Sequence, residues 1–568
     1  MCYRALPGAL DWLTTTSIIR MVPGGMIGLT GVVLAGLLGI QYFRQRKLNR
    51  APSPQFRGCF FKLVNRIRFR FDPDSFLKKT EQLTEEHGGI LELRGIWKGL
   101  RVFYQPFAAC KKRSAAGPSR GIGACALLRD LLLISDLDAA KDVLQSEDGK
   151  YREKNMLNWM DSVGLESKDG KPFDTWLGEQ KELRKKYRTF SFERSSPDQM
   201  EKLYETVLPT LKVLMSLSND ESPSLSRSDL MLLTTNTLME YLCGKRFHSR
   251  NERFSRFLDE VDQLHENFVL KHVYLRVVGD CLPGCPLLRN SHQKRAEKAS
   301  TSAKYIMEFL ESDVGLIEMR ETMRENYSDG SYPDDSGLNL AQVLIKNHLE
   351  NSDKISWGEC VKAIASLVSS ASPISNMTMA SLGYLSQDKG AQNLIHDEIF
   401  RTFGKHRTDY LSVEKSMKLV QIKAVLMETY RMFSSPPILL TTEEDSIING
   451  YNIDKGTDIL VNIEQLNHSP KLWEEPEKFK HSRFLTASDK DPETMIIKKP
   501  SAYLPYNFGR KSHAMMGLLE HIASNVLANI ISQFKVESNR EDMKKSGLGS
   551  YKSIDMKNFL TINLKKRA

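Results

Sequence analysis

The stretch of the chain whose residue types most suggest a binding site runs from Tyr503 to Gly517 and reads YLPYNFGRKSHAMMG. It combines proline, glycine and aromatic residues with one histidine, His513, and it leads into an apolar run that ends at Phe534. Imidazole is a good ligand for iron and other transition metals. The pattern therefore predicts either a loop that holds a cofactor or an ordinary loop whose histidine contacts no metal.

Charged residues upstream could support such a loop. Glu428 and Arg431 lie at i, i+3 spacing in a helix predicted over residues 419–433, which places them on one face. Arg483 follows within the segment EPEKFKHSRF. Taken alone, the Glu428–Arg431 pair would be an exposed ion pair of little consequence.

A long helix predicted over residues 357–386 carries two further candidates. Pro373 lies inside it, removes the hydrogen bond to the Ser369 carbonyl and is expected to kink the helix. Asn376 and Thr378 follow shortly after the proline. These residues alone favour a kinked core helix with incidental polar side chains.

A largely helical chain must position these residues. Of 568 residues, 41% are hydrophobic and 26% are charged, which is typical of a globular protein. Residues 197–309 are predicted to be mostly helical, whereas residues 445–453 are predicted to form a hairpin with a type I′ Asn-Gly turn. We expect a mainly α fold with small β-sheets over residues 59–568, with a flexible insertion at 106–124 whose small and polar residues bury little apolar surface.

The N-terminal region carries a membrane signal. Residues 21–43 contain no charge and are long enough to cross a hydrocarbon core, which needs about 20 residues. A basic, proline-containing hinge follows at 44–58, so the positive-inside rule places residues 1–20 in the lumen and the bulk of the chain in the cytosol. A cleaved signal peptide is the alternative, but the apolar run is long and lacks a clear cleavage site. We expect a single-pass anchor in the endoplasmic reticulum membrane.

The charge of the chain bears on its partners. The net charge is +10, but the basic residues are scattered and lack interleaved aromatic residues. Nucleic acid is therefore not an expected partner, whereas membrane lipid is. The eight cysteines show no zinc-type spacing, and none follows Cys360.

Four features resemble, in this order and spacing, the haem-binding half of a cytochrome P450. They are the kinked helix, the Glu428-x-x-Arg431 pair, the Pro476–Phe484 segment and the loop before the last helix. The resemblance covers roughly residues 75–568 and is closest in pattern to sterol 7α- and 12α-hydroxylases and prostacyclin synthase. It implies a cytochrome P450 fold preceded by the anchor helix, haem as cofactor, an apolar sterol- or lipid-like substrate and an NADPH-dependent reductase as partner.

The resemblance also implies a role for each charged candidate. Glu428, Arg431 and Arg483 would form a buried charge triad beneath the haem, where mutual hydrogen bonds are needed because an unpaired buried charge is costly. Arg184 would meet a haem propionate, since its planar guanidinium suits a carboxylate.

The loop departs from the family pattern Phe-x-x-Gly-x-Arg-x-Cys-x-Gly. The five positions are occupied here by Tyr506, Gly509, Lys511, His513 and Met515. His513 stands where the family has its iron-ligating cysteine and is the candidate axial ligand. A thiolate promotes O–O cleavage by donating electron density to iron, which imidazole does less well.

The resemblance places Asn376 and Thr378 in a groove that handles oxygen, as catalytic residues, with Asn376 where most relatives have an acid. We expect a haem-dependent monooxygenase-type oxidoreductase. The alternative is a His-ligated or haem-free member with isomerase- or peroxidase-like chemistry, or a non-catalytic ligand-binding role.

Overall fold

A computed structural model describes the following residues of the chain: 82, 90–93, 131–146, 150–153, 197–216, 223–265, 286–327, 332–352, 355–404, 410–433, 438–489, 491, 493–504, 516–539, 541 and 560–567. The predicted anchor at 21–43 and the predicted insertion at 106–124 lie outside these residues. Within the described part of the chain, no helix is both long enough and apolar enough to cross a bilayer.

Helices make up most of the described residues, which confirms the prediction of a mainly α fold. In chain order they are α1 (Leu137–Leu144), α2 (Pro197–Ser216), α3 (Arg227–Cys243), α4 (Glu252–His265), α5 (Pro286–Ser312), α6 (Leu316–Asn326), α7 (Leu340–Glu350), α8 (Trp357–Ser369), α9 (Ala371–Gln387), α10 (Lys389–Phe403), α11 (Val413–Met417), α12 (Val420–Met432), α13 (Ile463–Asn467) and α14 (Met516–Gln533). Short 3₁₀ helices lie at Asp335–Gly337 and His481–Phe484.

The strands are short, as predicted. They are β1 (Ile90–Leu93), β2 (Leu131–Ile134), β3 (Tyr151–Glu153), β4 (Ser224–Ser226), β5 (Ile438–Thr442), β6 (Ser446–Ile448), β7 (Tyr451–Ile453), β8 (Asp458–Val461), β9 (Leu485–Ala487), β10 (Met495–Ile497), β11 (Phe534–Glu537) and β12 (Thr561–Lys566).

The largest sheet has the strand order β1-β2-β8-β5-β3. β2 and β8 run parallel, with Leu131 opposite Asp458, and the other neighbours in this sheet are antiparallel. A second sheet has the order β11-β12-β4, so that the strand at the C-terminal end of the described chain lies in its centre. The pairs β6–β7 and β9–β10 are antiparallel hairpins.

The β6–β7 hairpin shows how local chemistry sets a turn. Asn449 and Gly450 both have positive φ, 45° and 79°, as a type I′ turn requires. Asparagine and glycine tolerate this region better than other residues, because their local hydrogen bonding or missing Cβ lowers the steric cost. The predicted Asn-Gly turn is therefore confirmed.

The core consists of two clusters of buried apolar side chains. The larger cluster lies among the helices from α2 to α14. The smaller one lies between α1 and the five-stranded sheet, where Ala139 and Val143 of the helix pack with Leu132, Ile134 and Ile459 of the strands. Because the site residues lie on helices of the larger cluster, their backbone positions are set by close packing.

The predicted long helix is broken into α8 and α9. The Ser370 amide donates to the Leu367 carbonyl at 3.1 Å, an i, i−3 bond, and α9 begins at the next residue. Pro373 has no N–H to donate to the Ser369 carbonyl, which explains why regular helical bonding stops there. The helix is therefore interrupted at Ser370, three residues before Pro373, and a change in the direction of its axis stays a prediction.

Candidate active site

A buried cluster of charges lies between α12 and the segment that follows α13. The Glu428 carboxylate has no solvent exposure and accepts hydrogen bonds from Arg431 Nε and Nη2, each at 2.9 Å. It also accepts from Arg483 Nε at 3.0 Å and from the Lys480 backbone amide at 2.9 Å. One carboxylate therefore joins two helical elements and the chain between them, and the pair is not an exposed surface contact.

Backbone carbonyls surround the two guanidinium groups. Arg431 Nη1 donates to the Asn467 carbonyl at 2.7 Å, at the end of α13. Arg483 donates to the carbonyls of Glu474 at 2.6 Å, Glu475 at 3.0 Å and Lys478 at 3.1 Å. The Asn467 carbonyl satisfies an Arg431 donor that would otherwise be buried without a partner, and the contacts of the partly exposed Arg483 fix the irregular chain from 474 to 484.

Packed aromatic rings connect this charge cluster to the chain segment that ends at residue 504. The Trp473 and Phe484 ring centroids lie 5.9 Å apart, and those of Phe484 and Tyr503 lie 5.0 Å apart in an edge-on arrangement. Tyr430 of α12 packs edge-on against Tyr503 at 6.1 Å. Leu504, the last described residue before position 505, is buried. The chain thus enters the predicted cofactor loop from a tightly packed base.

The predicted loop residues Tyr506, Gly509, Lys511 and His513 lie outside the described residues, as does Arg184. The chain is described again from Met516, where α14 begins, and Leu518 and Ile522 of that helix are buried in the larger core. Both ends of the loop are therefore held by the core.

Asn376 and Thr378 of α9 are both buried but lie on different sides of the helix. Asn376 Oδ1 accepts a hydrogen bond at 2.7 Å from Arg227 Nε of α3. Residues two apart are separated by about 200° around a helix, so Thr378 points away from Arg227. Ser381, which shares a face with Thr378, bonds to Thr429 of α12 at 3.0 Å. Thr378 also shares a face with Ser375, which bonds to Thr234 of α3 at 2.6 Å, so it lies on the part of α9 between α3 and α12 and away from Asn376.

The Thr378 hydroxyl is buried and has no hydrogen-bond partner among the described residues. Leaving a buried hydroxyl unpaired costs about 1–3 kcal/mol. This side chain can therefore donate to, or accept from, a bound molecule without giving up an existing bond.

The described cysteines do not offer a thiolate. Cys243 and Cys360 are buried, and burial raises the pKa of each thiol to about 12. The Cys360 sulfur contacts the Leu344 carbonyl at 3.5 Å, as a thiol donor does. Among the residues that the structure describes, no three histidine, cysteine or acidic side chains form a metal-binding group.

Sequence reasoning missed several of these contacts. Arg227, Asp262 and Ser372 form a buried polar group around Asn376. Arg227 and Asp262 come from helices whose sequences show ordinary charged residues, and no pattern relates them to residue 376. The sequence therefore contained no signal for this group.

A family model described as Cytochrome P450 matches residues 127–555 of the chain. The chain belongs to the cytochrome P450 family. The predicted family and the P450 fold, mainly helical with small sheets, are thereby confirmed.

Several curated P450 proteins are similar to the chain. Dimethylnonatriene synthase of Arabidopsis thaliana is 26% identical over 373 residues, which are 63% of this chain and 66% of that protein. (S)-canadine synthase of Coptis japonica is 30% identical over 163 residues, 28% of this chain and 32% of that protein. Cytochrome P450 82E3 of Nicotiana tabacum is 23% identical over 455 residues, 77% of this chain and 81% of that protein. The match thus covers about two thirds of the length of the dimethylnonatriene synthase and about a third of the length of the canadine synthase.

P450 membership implies haem as the cofactor, and the described residues can be tested against it. The Glu428 charge cluster, the helix break at Ser370 and the unpaired Thr378 hydroxyl suit a scaffold that binds a prosthetic group beside α9. The donor chemistry differs from the family pattern, because the described thiols are protonated and no cysteine follows Cys360. The described residues are compatible with a haem site, and the loop that would supply the iron ligand lies outside them.

Proposed function

We propose that the chain is a membrane-anchored haem oxidoreductase of the P450 monooxygenase type that acts on an apolar, sterol- or lipid-like substrate. The observation that carries the proposal is the buried Glu428 cluster with Arg431 and Arg483. A charge cluster that served only the protein surface would not need a fully buried carboxylate that accepts four hydrogen bonds. The cluster also orders the chain that leads into the loop around His513.

In this proposal the His513 side chain would hold the haem iron. Its imidazole would have to be neutral to bind a metal. An ordinary histidine, with a pKa of about 6.5, is mostly neutral when the pH is above that value. Tyr506, Gly509 and Lys511 would form the rest of the loop against the porphyrin, and Arg184 would pair with a propionate. When bound, haem iron supplies one-electron and O₂ chemistry.

Residues of α9 would contribute to binding and proton handling near the prosthetic group. The Thr378 hydroxyl would hold a proton at its Oγ1 within hydrogen-bond reach of a bound oxygen-containing ligand, which is consistent with its missing partner. Apolar residues of the helical core would exclude water from an apolar substrate.

The substrate class rests on the resemblance to sterol hydroxylases. The names of the similar proteins, a dimethylnonatriene synthase and canadine synthases, point to different compounds. We therefore propose an apolar substrate as the broader class and a sterol or lipid as the narrower one. Electrons would come from an NADPH-dependent reductase.

The cellular setting follows from the uncharged segment at 21–43 and the basic residues that follow it. We propose a single-pass anchor in the endoplasmic reticulum membrane with the bulk of the chain in the cytosol. Fractionation with alkaline carbonate extraction tests this, since an anchored protein stays with the membrane and a peripheral one is released.

A second function is favoured by the lack of a cysteine after Cys360. Imidazole donates less electron density to iron than a thiolate does, and if that does not support O–O cleavage the haem protein would instead perform isomerase- or peroxidase-like chemistry. Without haem it would bind an apolar ligand and catalyse nothing.

The deciding experiment is a reduced carbon monoxide difference spectrum of the purified protein, with its haem content measured in parallel. We expect bound haem with an imidazole-type band. His513→Cys should shift this band to the thiolate type, whereas His248→Cys, at an exposed position, should leave it unchanged. A thiolate-type band in the unaltered protein would contradict His513 as the ligand, and absence of haem would contradict the proposed oxidoreductase.

A further inference from the structure

A buried guanidinium joins three helices at one point. Arg227, the first residue of α3, is 4% exposed. Its Nη1 and Nη2 donate to the two carboxylate oxygens of Asp262 on α4, the latter at 2.6 Å. Nη2 also donates to Ser372 Oγ at 2.9 Å, and Nε donates to Asn376 Oδ1 at 2.7 Å, both on α9. We call Arg227, Asp262, Ser372 and Asn376 the Arg227 node.

The node is balanced in charge. It contains one guanidinium and one carboxylate, and its members are at most 6% exposed. Asn376 adds an acceptor for Arg227 Nε without adding a charge. An aspartate at 376 would place a second carboxylate against one guanidinium, and an unbalanced buried charge is strongly destabilising. The amide at 376 is thus the side chain that this environment requires.

The position of the node gives it a further role. Ser372 and Asn376 lie in the first turns after the break at Ser370, where Pro373 cannot donate the bond that would continue the helix. Regular helical hydrogen bonding is interrupted there, although the Ile374 amide still donates to the Ser370 carbonyl at 3.2 Å. Side-chain contacts to α3 and α4 therefore add a constraint on the direction of α9.

We propose that Arg227 is a positioning residue, which holds α9 against α3 and α4 through its charge-balanced contacts with Asp262 and Asn376. The node thereby fixes the orientation of Thr378 on the opposite face of α9. The importance of Thr378 itself rests on the proposed function, but the positioning of α9 does not.

A charge exchange tests the node. Asp262→Asn removes the carboxylate, and Asn376→Asp adds one on the other side of the guanidinium. We expect each single variant to lower the midpoint of thermal unfolding by several degrees. The double variant D262N/N376D again pairs one carboxylate with Arg227 and should recover most of that loss. Glu201→Gln, an exposed position on α2, serves as the control for removing a charge and should leave the midpoint nearly unchanged.

Hydrogen exchange followed by mass spectrometry adds a local readout. Amides of α9 after Ser370 should exchange faster in D262N than in the unaltered protein and should regain protection in D262N/N376D. If the singles fold too poorly to purify, Arg227→Lys is a milder change, since it keeps the charge and loses the forked geometry. It should give a smaller loss of protection in the same amides.

Two results would overturn the proposal. One is a double variant whose loss equals the sum of the two single losses, because the charges would then not interact. The other is unchanged exchange in α9 when Asp262 is neutral. Neither measurement depends on haem. A carbon monoxide spectrum that contradicts the haem proposal would therefore not affect the Arg227 node, and a charge exchange that contradicts the node would not affect the haem proposal.

Discussion

At the scale of single residues, Glu428 is a closely constrained side chain. Its two oxygens accept from two guanidinium groups and a backbone amide, with no solvent exposure. Two arginines and one glutamate leave a surplus positive charge, which the carbonyls of residues 467, 474, 475 and 478 offset. The Glu428 carboxylate therefore binds both arginines. Neither arginine could pair with a different carboxylate unless the backbone of this region moved.

We expect Glu428→Gln to destabilise the protein by about 3–5 kcal/mol, because it leaves Arg431 and Arg483 buried without a compensating charge. Urea unfolding followed by circular dichroism measures the change. Glu474→Gln is the control, since the Glu474 side chain is exposed and only its carbonyl contacts Arg483. Equal urea midpoints for the two variants would contradict this reading.

Sequence reasoning placed Glu428, Arg431 and Arg483 in one group through family resemblance, since residues 431 and 483 are far apart in the chain. It could not foresee the Arg227 node, because Asn376 alone says nothing of its partner. Helical spacing is local and can be read from the chain, whereas contacts between helices depend on how the core packs.

At the scale of elements, α12 is capped by a neighbouring helix. Glu398 of α10 accepts hydrogen bonds from the amides of Val420 at 2.8 Å and Gln421 at 3.0 Å, the first two residues of α12. Burial raises the pKa of Glu398, although these amide bonds favour its charged form. Leu419 precedes α12 and makes no side-chain cap, so the carboxylate of another helix takes over that role.

We expect Glu398→Ala to destabilise the protein by about 1–3 kcal/mol, because two amides of α12 lose their acceptor. Glu398→Gln should cost less, since its amide oxygen can still accept one bond. Asn393→Ala, at an exposed position of the same helix, is the control for shortening a side chain on α10. The urea midpoint is the measurement, and an equal shift for E398A and N393A would contradict the cap.

The broken helix and the hairpin were predictable because proline and the Asn-Gly pair act on their own backbone. The cap on α12 was not, because its acceptor comes from a different helix. Elements set by the backbone preferences of their own residues can be predicted from sequence. Elements that depend on a hydrogen-bond acceptor from a distant part of the chain cannot.

At the scale of the whole molecule, four histidines share one property. Burial lowers the pKa of His396, His468, His481 and His521. The folded protein therefore binds fewer protons than the unfolded chain once the pH falls below the ordinary histidine pKa of about 6.5. Their contribution to stability is full above that pH and is lost progressively below it.

We expect the free energy of unfolding to fall as the pH is lowered from about 7 to 5.5. His481 bonds through Nε2 to Gln421 Oε1 at 3.0 Å and is 6% exposed, so it is the best single test. His481→Gln should reduce the slope by up to one proton, about 1.4 kcal/mol per pH unit. Urea unfolding across this pH range measures the slope.

His248→Gln is the control, because His248 is exposed. Comparison with the unaltered protein at each pH cancels the opposite contribution of Glu398 and Glu520, whose pKa values burial raises. A slope that H481Q leaves unchanged would contradict a neutral, buried His481.

The placement of β12 has a consequence for how the protein is made. Ser224 to Ser226 pair with residues 561–563, so β4 leaves the ribosome long before its partner strand exists. At a synthesis rate of ~5–20 residues per second, the interval is on the order of tens of seconds. The nascent chain must stay unaggregated with this sheet open until residues 561–566 have been made. A polypeptide truncated before residue 561 would therefore lack the central strand of this sheet.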